Sequence, residues 1–315
     1  MSKIKSKGIM LIALIAITLI IISPISCIEA TLKGLRIWAI NVVPALFPFF
    51  ILTRIIITLN QTSIPALDKL TSKCFHTPNS GIVYFLSVLS GYPVGAKIIS
   101  SYYQMGAIDK ATATKMFSFC STSGPMFIIG TVGIGVFADA KIGYILLIGH
   151  IIGSFINGMI YRGKSIPTNN LKSNISKSTL NEIMYDSINS ILLVGGYIIF
   201  SSLIIELLQI TSIIPTLSKV ICAVTNFDIN VVNSALCGII EITNGLIMLG
   251  ETNISVGIKV VLASILISFS GICIMLQSSG FLNQIGIKKS TILIQKVSQS
   301  IVTCLITLLL VLLFL

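Results

Sequence analysis

The chain has 315 residues, 54% of them hydrophobic and only 10% charged, with a mean hydropathy of +1.00 and a formal net charge of +11. A soluble domain carries about a quarter charged residues, so this composition excludes a water-soluble globule and implies an integral membrane protein whose main partner is the lipid bilayer. The Lys and Arg residues are scattered between apolar runs, which fits the positive-inside rule and gives no nucleic acid surface.

The first apolar run, Ile9 to Ile22, follows Lys3, Lys5 and Lys7 and reads as an uncleaved transmembrane helix within an N-terminal unit, 1–34. The sequence Pro24-Ile25-Ser26-Cys27 resembles a lipoprotein cleavage box but has Pro where Leu is wanted. Leu35 to Leu59 is a second span, kinked by Pro44 and Pro48. Gln61 to Ser80, with Lys69 and Lys73, reads as a polar loop. Gly81 to Ser100 is moderately apolar and is broken by Ser90-Gly91-Tyr92-Pro93-Val94-Gly95-Ala96-Lys97. After the polar stretch 101–115, Met116 to Phe137 is apolar but interrupted by Cys120-Ser121-Thr122-Ser123-Gly124-Pro125, and Lys141 to Tyr161 is a clean span. Arg162 to Asn181, with Lys164, Lys172 and Lys177, is basic and marks a cytoplasmic linker, placed at 166–185, between a first repeat (35–165) and a second (186–315).

The second half repeats this order. Ile188 to Leu208 is a span, Gln209 to Asn230 is a loop with room for a short interfacial helix, and Val231 to Gly250 is broken by Glu241-Ile242-Thr243-Asn244-Gly245. Lys259 to Gln277 is interrupted at Ser268-Phe269-Ser270-Gly271, and Ile292 to Leu315 is the last span. Backbone groups cannot face lipid unpaired, so such breaks survive only inside protein or around a wet cavity, and matched breaks in two halves point to a transporter-type site. Charge supports the same plan. Placing 60–80, 101–115, 162–181 and 282–290 inside leaves only Lys33, Arg36, Lys141, Lys219 and Lys259 outside, provided 81–100 and 231–250 are re-entrant. The fold expected is therefore all-α, with about seven transmembrane helices, two re-entrant broken-helix hairpins and two inverted repeats.

The substrate-binding candidates are the polar and glycine residues at these breaks: Gly91, Tyr92, Gly95, Lys97, Ser121, Thr122, Ser123, Glu241, Thr243, Asn244 and Ser270. Glu241 is the sharpest, because an ionised carboxylate at span depth is costly and usually faces a cavity or a partner. The plainer reading of Glu241 is a helix cap, and that of Ser121 to Ser123 is small-residue packing. His150, between Gly149 and Gly153, reads as a buried, hydrogen-bonded side chain. The seven cysteines form no Cys-x-x-Cys pair and read as packing residues, so neither a metal nor another cofactor is expected. The glycines from Gly130 to Gly135 lie within a span, with no strand and no Lys, and make no phosphate loop. No paired Asp, Ser/Lys dyad or His/Glu metal motif lies at span depth, so the protein is not expected to be an enzyme.

On Pro44-Ala45-Leu46-Phe47-Pro48-Phe49-Phe50, Ser90 to Lys97, Ser118 to Pro125, Glu241 to Gly245 and Ser268 to Gly271, the chain resembles the sporulation integral membrane protein family called YlbJ, within the wider nucleoside-recognition or Gate superfamily. The resemblance runs from about residue 38 to the end. It implies a role in endospore formation at the mother-cell or forespore membrane, needed for the spore cortex, and a partial likeness to concentrative nucleoside transporters. Ile272 to Gln277 departs from the family pattern in lacking a His near Met275. The expected function is a transporter-like protein that moves or senses a small polar or nucleoside-like solute. The alternative is a non-transporting scaffold for cortex assembly.

Overall fold

The computed structural model describes residues 3–58, 64–77, 80–163 and 179–315. Helices α1 (Lys3–Ile22) and α2 (Pro24–Arg36) meet at Ser23, with Pro24 in the first turn of α2, where its missing N–H leaves no bond unmade. α2 continues through a π-helical turn, Ile37–Val42, into α3 (Val43–Thr58). Residues 24–58 are thus one 35-residue helical run and not a span that starts at 35. The widened turn ends just before Pro44, whose ring would crowd the carbonyl four residues back in a regular helix.

The stretch expected to be a polar loop contains a helix, α4 (Pro65–Phe75). Pro65 opens it, Asp68 lies in its first turn, and Thr71 and Phe75 are buried. The hydrophobic pattern of about three turns is too short to stand out among its lysines, and burial of one face supplies what propensity does not. The Asp68 carboxylate then accepts from the Gly81 N–H at 2.8 Å and ties α4 to the next helix.

The remaining elements follow the expected order. α5 (Gly81–Ser90) and α6 (Val94–Gln104) form a hairpin. α7 (Lys110–Cys120) is separated by a break from a π-helical run, Met126–Val136, and α8 (Ala140–Ile160) follows. α9 (Leu180–Ile210) begins inside the expected linker, and Lys164, Lys172 and Lys177 lie outside the described residues. α10 (Ile213–Thr225) is the short helix anticipated in the second-half loop. α11 (Ile229–Ile240) and α12 (Ile242–Gly250) form the second hairpin, α13 (Val256–Phe269) and α14 (Gly271–Leu282) are two halves of one apolar stretch, and α15 (Lys289–Phe314) closes the chain. Among the described residues five helical stretches are long and apolar enough to cross a membrane: Pro24–Thr58, Ala140–Ile160, Leu180–Ile210, Val256–Ile285 and Lys289–Phe314. Lys7–Ile22 is a shorter apolar helix, and the span expected at 116–137 is split in two.

Scarce charge is spent on helix starts. Asp109, Asp139, Asp228 and Glu241 are N-caps that accept backbone N–H bonds, and Thr179 with Glu182 forms a capping box on α9. The first N–H groups of a helix have no intrahelical partner, and in apolar surroundings leaving them bare is expensive. Polarity is otherwise inverted relative to a soluble protein. Ile12, Ile21, Leu312 and Leu313 are exposed, while Ser87, Asn157, Ser268, Thr303 and Lys296 are buried. α8 and α15 pack through small residues, with Gly149 against Thr307 and Gly153 against Thr303, as expected where lipid supplies no hydrophobic drive between helices.

The loops assigned to one side do gather at one end of the molecule. The His76 ring bonds the Gly163 carbonyl at 2.7 Å, Lys115 lies against Gly163, and Lys110 lies against Gly286. At the other end Lys259 donates to the Gly250 carbonyl at 2.8 Å, and Gly250 packs on Val136.

Candidate functional site

Four helix breaks converge. In the first, Gly91 ends α5 with φ +76°, a left-handed conformation that a side chain would strain, and its backbone lies against Gly124 of the second break. The third is Glu241, extended between α11 and α12. The fourth is Ser270-Gly271, both at positive φ, with Gly271 against the carbonyls of Gly238 and Ile240 at the third.

Long-range polar contacts lock these breaks together. The Tyr92 hydroxyl donates to the Ile267 carbonyl at 3.2 Å. The Ser123 N–H donates to His150 Nε2 at 2.9 Å, and His150 Nδ1 lies 2.9 Å from Ser268 Oγ. A backbone N–H can only donate, so Nε2 is the bare acceptor and Nδ1 carries the proton that Ser268 Oγ receives. The expectation of a buried, hydrogen-bonded histidine is met, and its role is to join the second break to the fourth. His150→Leu leaves the Ser123 N–H unpaired in the interior and should cost about 1–3 kcal/mol. An unchanged thermal midpoint for that variant would remove His150 from this network.

The interior also holds a lysine outside the motifs singled out above. Lys296, on α15, is 1% exposed. Its ammonium donates to the Tyr92 hydroxyl at 2.9 Å, to the Ser121 carbonyl at 3.0 Å and to Gln299 Oε1 at 2.7 Å, and lies 4.7 Å from the centre of the Tyr92 ring. Three acceptors meet its three N–H bonds. The Ser121 carbonyl belongs to the C-terminal end of α7, where the helix dipole favours a cation. The sequence signal was available: a charge flanked by Gln295 and Gln299 in an otherwise apolar 26-residue helix.

Between the breaks lies a small chamber of about 40 Å³, with Tyr92, Ser123, Gly124, Glu241, Thr243 and Gln277 as its polar lining. One water takes roughly 10–15 Å³, so this space holds a few waters and no larger solute. Val194 and Gln277 are shared with a wider outer cavity of about 210 Å³, which also meets Arg54, Lys97, Asp186 and Ser190. There Arg54 pairs with Asp186 at 2.8 Å, and Lys97 donates to Ser190 Oγ at 2.8 Å.

The expected site residues divide accordingly. Tyr92, Ser123, Glu241 and Thr243 line the inner chamber, and Lys97 lines the outer cavity. Gly95 packs α6 on the Cys120 carbonyl. Ser121 offers its carbonyl to Lys296, and the Thr122 hydroxyl is used on the Ser87 carbonyl at 3.0 Å. Asn244 donates to Ser202 and Glu241, and Ser270 is a buried αL residue at the fourth break. Glu241 combines both readings: its carboxylate accepts from the Thr243 N–H at 3.1 Å and the Asn244 N–H at 2.8 Å while facing the chamber. Gln277 lines both cavities and stands between them.

The chain is similar to the sporulation integral membrane protein YlbJ of Bacillus subtilis (strain 168), 27% identical over 332 aligned residues that cover 96% of this chain and 81% of that protein. The alignment takes in every break described above, since it spans nearly the whole sequence. No family model and no solved structure matches the chain. The chain is a multi-pass membrane protein.

Proposed function

We propose that this membrane protein belongs to the YlbJ family and acts in sporulation as a transporter-like protein that moves or senses a small polar solute needed for the spore cortex. Sporulation comes from the name of the Bacillus relative. The transporter-like reading rests on one observation: three helix breaks from the two halves of the chain, with the fourth packed against the third, line a chamber that holds several polar groups and adjoins a larger cavity. Broken helices at membrane depth are tolerated where they surround such a space. On this reading α5–α6 and α11–α12 are re-entrant hairpins of two inverted repeats, the ends bearing His76, Lys115 and Gly163 face the cytoplasm, and the role is non-enzymatic. The inner chamber is too small for a solute, so the reading requires one hairpin or repeat to move against the other to admit it.

The test is heat-resistant spore yield in the host for wild type, a deletion and Glu241→Gln, with membrane levels of the protein checked. Deletion is expected to collapse the yield. Glu241→Gln, at normal protein level, is expected to approach the deletion, because the amide keeps the shape but loses the charge that the α12 N-terminus and the chamber share. A normal yield in the deletion strain removes the sporulation role. A normal yield in Glu241→Gln makes Glu241 a cap alone and favours a non-transporting scaffold.

A further inference from the structure

We infer that the outer cavity is a binding site for a small organic anion, a carboxylate or phosphate with an apolar body, held between Lys97 and Arg54. This names the solute class for the transporter-like reading and rests on it only for the word solute. The cavity's ionisable groups are two cations, Arg54 and Lys97, and one carboxylate, Asp186. Asp186 takes a single bond from Arg54 Nη2, and Arg54 Nε is buried with no hydrogen-bond partner. Lys97 has one bond, to Ser190 Oγ, whose own proton goes to the Asp186 carbonyl at 2.7 Å. Lys97 thus hydrogen-bonds a neutral hydroxyl and shares the attraction of the single carboxylate Asp186 with Arg54, and its other N–H bonds have no partner among the described residues.

A half-buried positive excess with open donors in a largely apolar wall is unfavourable unless an anion supplies the missing acceptors. The rest of the wall includes Phe50, Ile57, Val94, Leu193 and Phe281, which suits an aliphatic or aromatic body. At about 210 Å³ the cavity has room that the inner chamber lacks. The cavity meets the last turns of α3 and the early turns of α9, the end of the molecule where His76, Lys110 and Lys115 gather, and this basic end attracts anions towards it. Glu241, the nearest carboxylate in the inner chamber's lining, is turned onto the N–H groups of its own helix.

The anion could arrive as a free solute or as the headgroup of a membrane lipid, and the experiment separates them. Purified full-length protein in a neutral detergent is titrated with hexanoate and hexyl phosphate, with hexanol and hexylammonium as controls, and the thermal midpoint is followed. Both anions are expected to stabilise saturably, and both controls to fail. Lys97→Gln should weaken the apparent affinity about tenfold or more, the loss of one charge-assisted bond. Lys97→Arg should retain most of it. In nanodiscs, a Lys97-dependent stabilisation by phosphatidylglycerol over phosphatidylcholine that abolishes the hexanoate shift assigns the site to a lipid headgroup. A hexanoate shift indifferent to lipid assigns it to a free solute. Equal stabilisation by hexanol, no stabilisation by any anion, or unaltered binding in Lys97→Gln overturns the inference. Those results leave the spore-yield test of Glu241 untouched, so the two readings fail separately.

Discussion

Replacing Lys296 with alanine is expected to destabilise the purified protein by about 3 kcal/mol or more, since three buried acceptors lose their donor at about 1–3 kcal/mol each and a long stem leaves a void. The acceptors are the Tyr92 hydroxyl, the Ser121 carbonyl and Gln299 Oε1. One effect works the other way. Burying an ammonium with no carboxylate beside it is costly, and its removal relieves several kcal/mol of that cost. The alanine variant should still lose, because neither the void nor the unpaired carbonyl at the end of α7 can be filled from within the bundle. Lys296→Met separates the contributions, since it keeps the stem and removes only the ammonium. It should fall between wild type and Lys296→Ala in thermal midpoint. If Lys296→Met is as stable as wild type, the charge is retained for function at the junction of the first two breaks. If Lys296→Ala is itself as stable as wild type, the lysine does not hold the breaks together.

Gly245→Ala should be the most damaging single methyl in the second half of the chain. A Cβ there meets backbone atoms of Gly238 and the Ser234 carbonyl across the α11–α12 hairpin. Backbone cannot rotate out of the way as a side chain can, so the cost is set at the upper end of overpacking, about 3 kcal/mol. The displaced helix, α12, starts at Glu241 and carries Thr243, so the inner chamber should be distorted as well as the hairpin loosened. Gly280→Ala in α14 is the matched control. It has nothing within 4 Å of its Cβ, and should be neutral or stabilise by about 0.5–1 kcal/mol through helix propensity. Thermal midpoints and spore yields of the two variants read this directly. Similar behaviour of both would mean that the hairpin does not need the close approach at Gly245.

The Lys296 prediction, like that for His150, depends on contacts that the sequence hides. The Lys296–Tyr92 bond joins residues 204 apart in the chain, and the His150–Ser268 bond joins residues 118 apart. Motif reading placed the breaks well because a Gly-Tyr-Pro or a Glu-Ile-Thr-Asn-Gly in apolar sequence is a local signal. It could not rank the residues within each break. Ser121, Thr122 and Ser123 are adjacent and chemically alike, yet one gives its carbonyl to Lys296, one bonds the Ser87 carbonyl and one lines the chamber. Lys296 was legible as a charge in a largely apolar helix but its distant partners Tyr92 and Ser121 were not, and α4 was hidden by the lysines along its exposed side.

By itself the sequence determined that this is a multi-pass, all-helical membrane protein, where its helices break and in what order those breaks recur. Those properties follow from hydropathy, proline and glycine, which act over a few residues and are the same whatever the rest of the chain does. Only the tertiary structure decided which polar atoms face a cavity and which are spent on caps and packing. Each buried donor or acceptor must be matched by a group that reaches it in space, and that group is fixed by how distant helices cross. The assignment of Glu241 to both cap and chamber, of Lys97 and Arg54 to one outer cavity, and of Lys296 to the junction of the breaks follows from that matching.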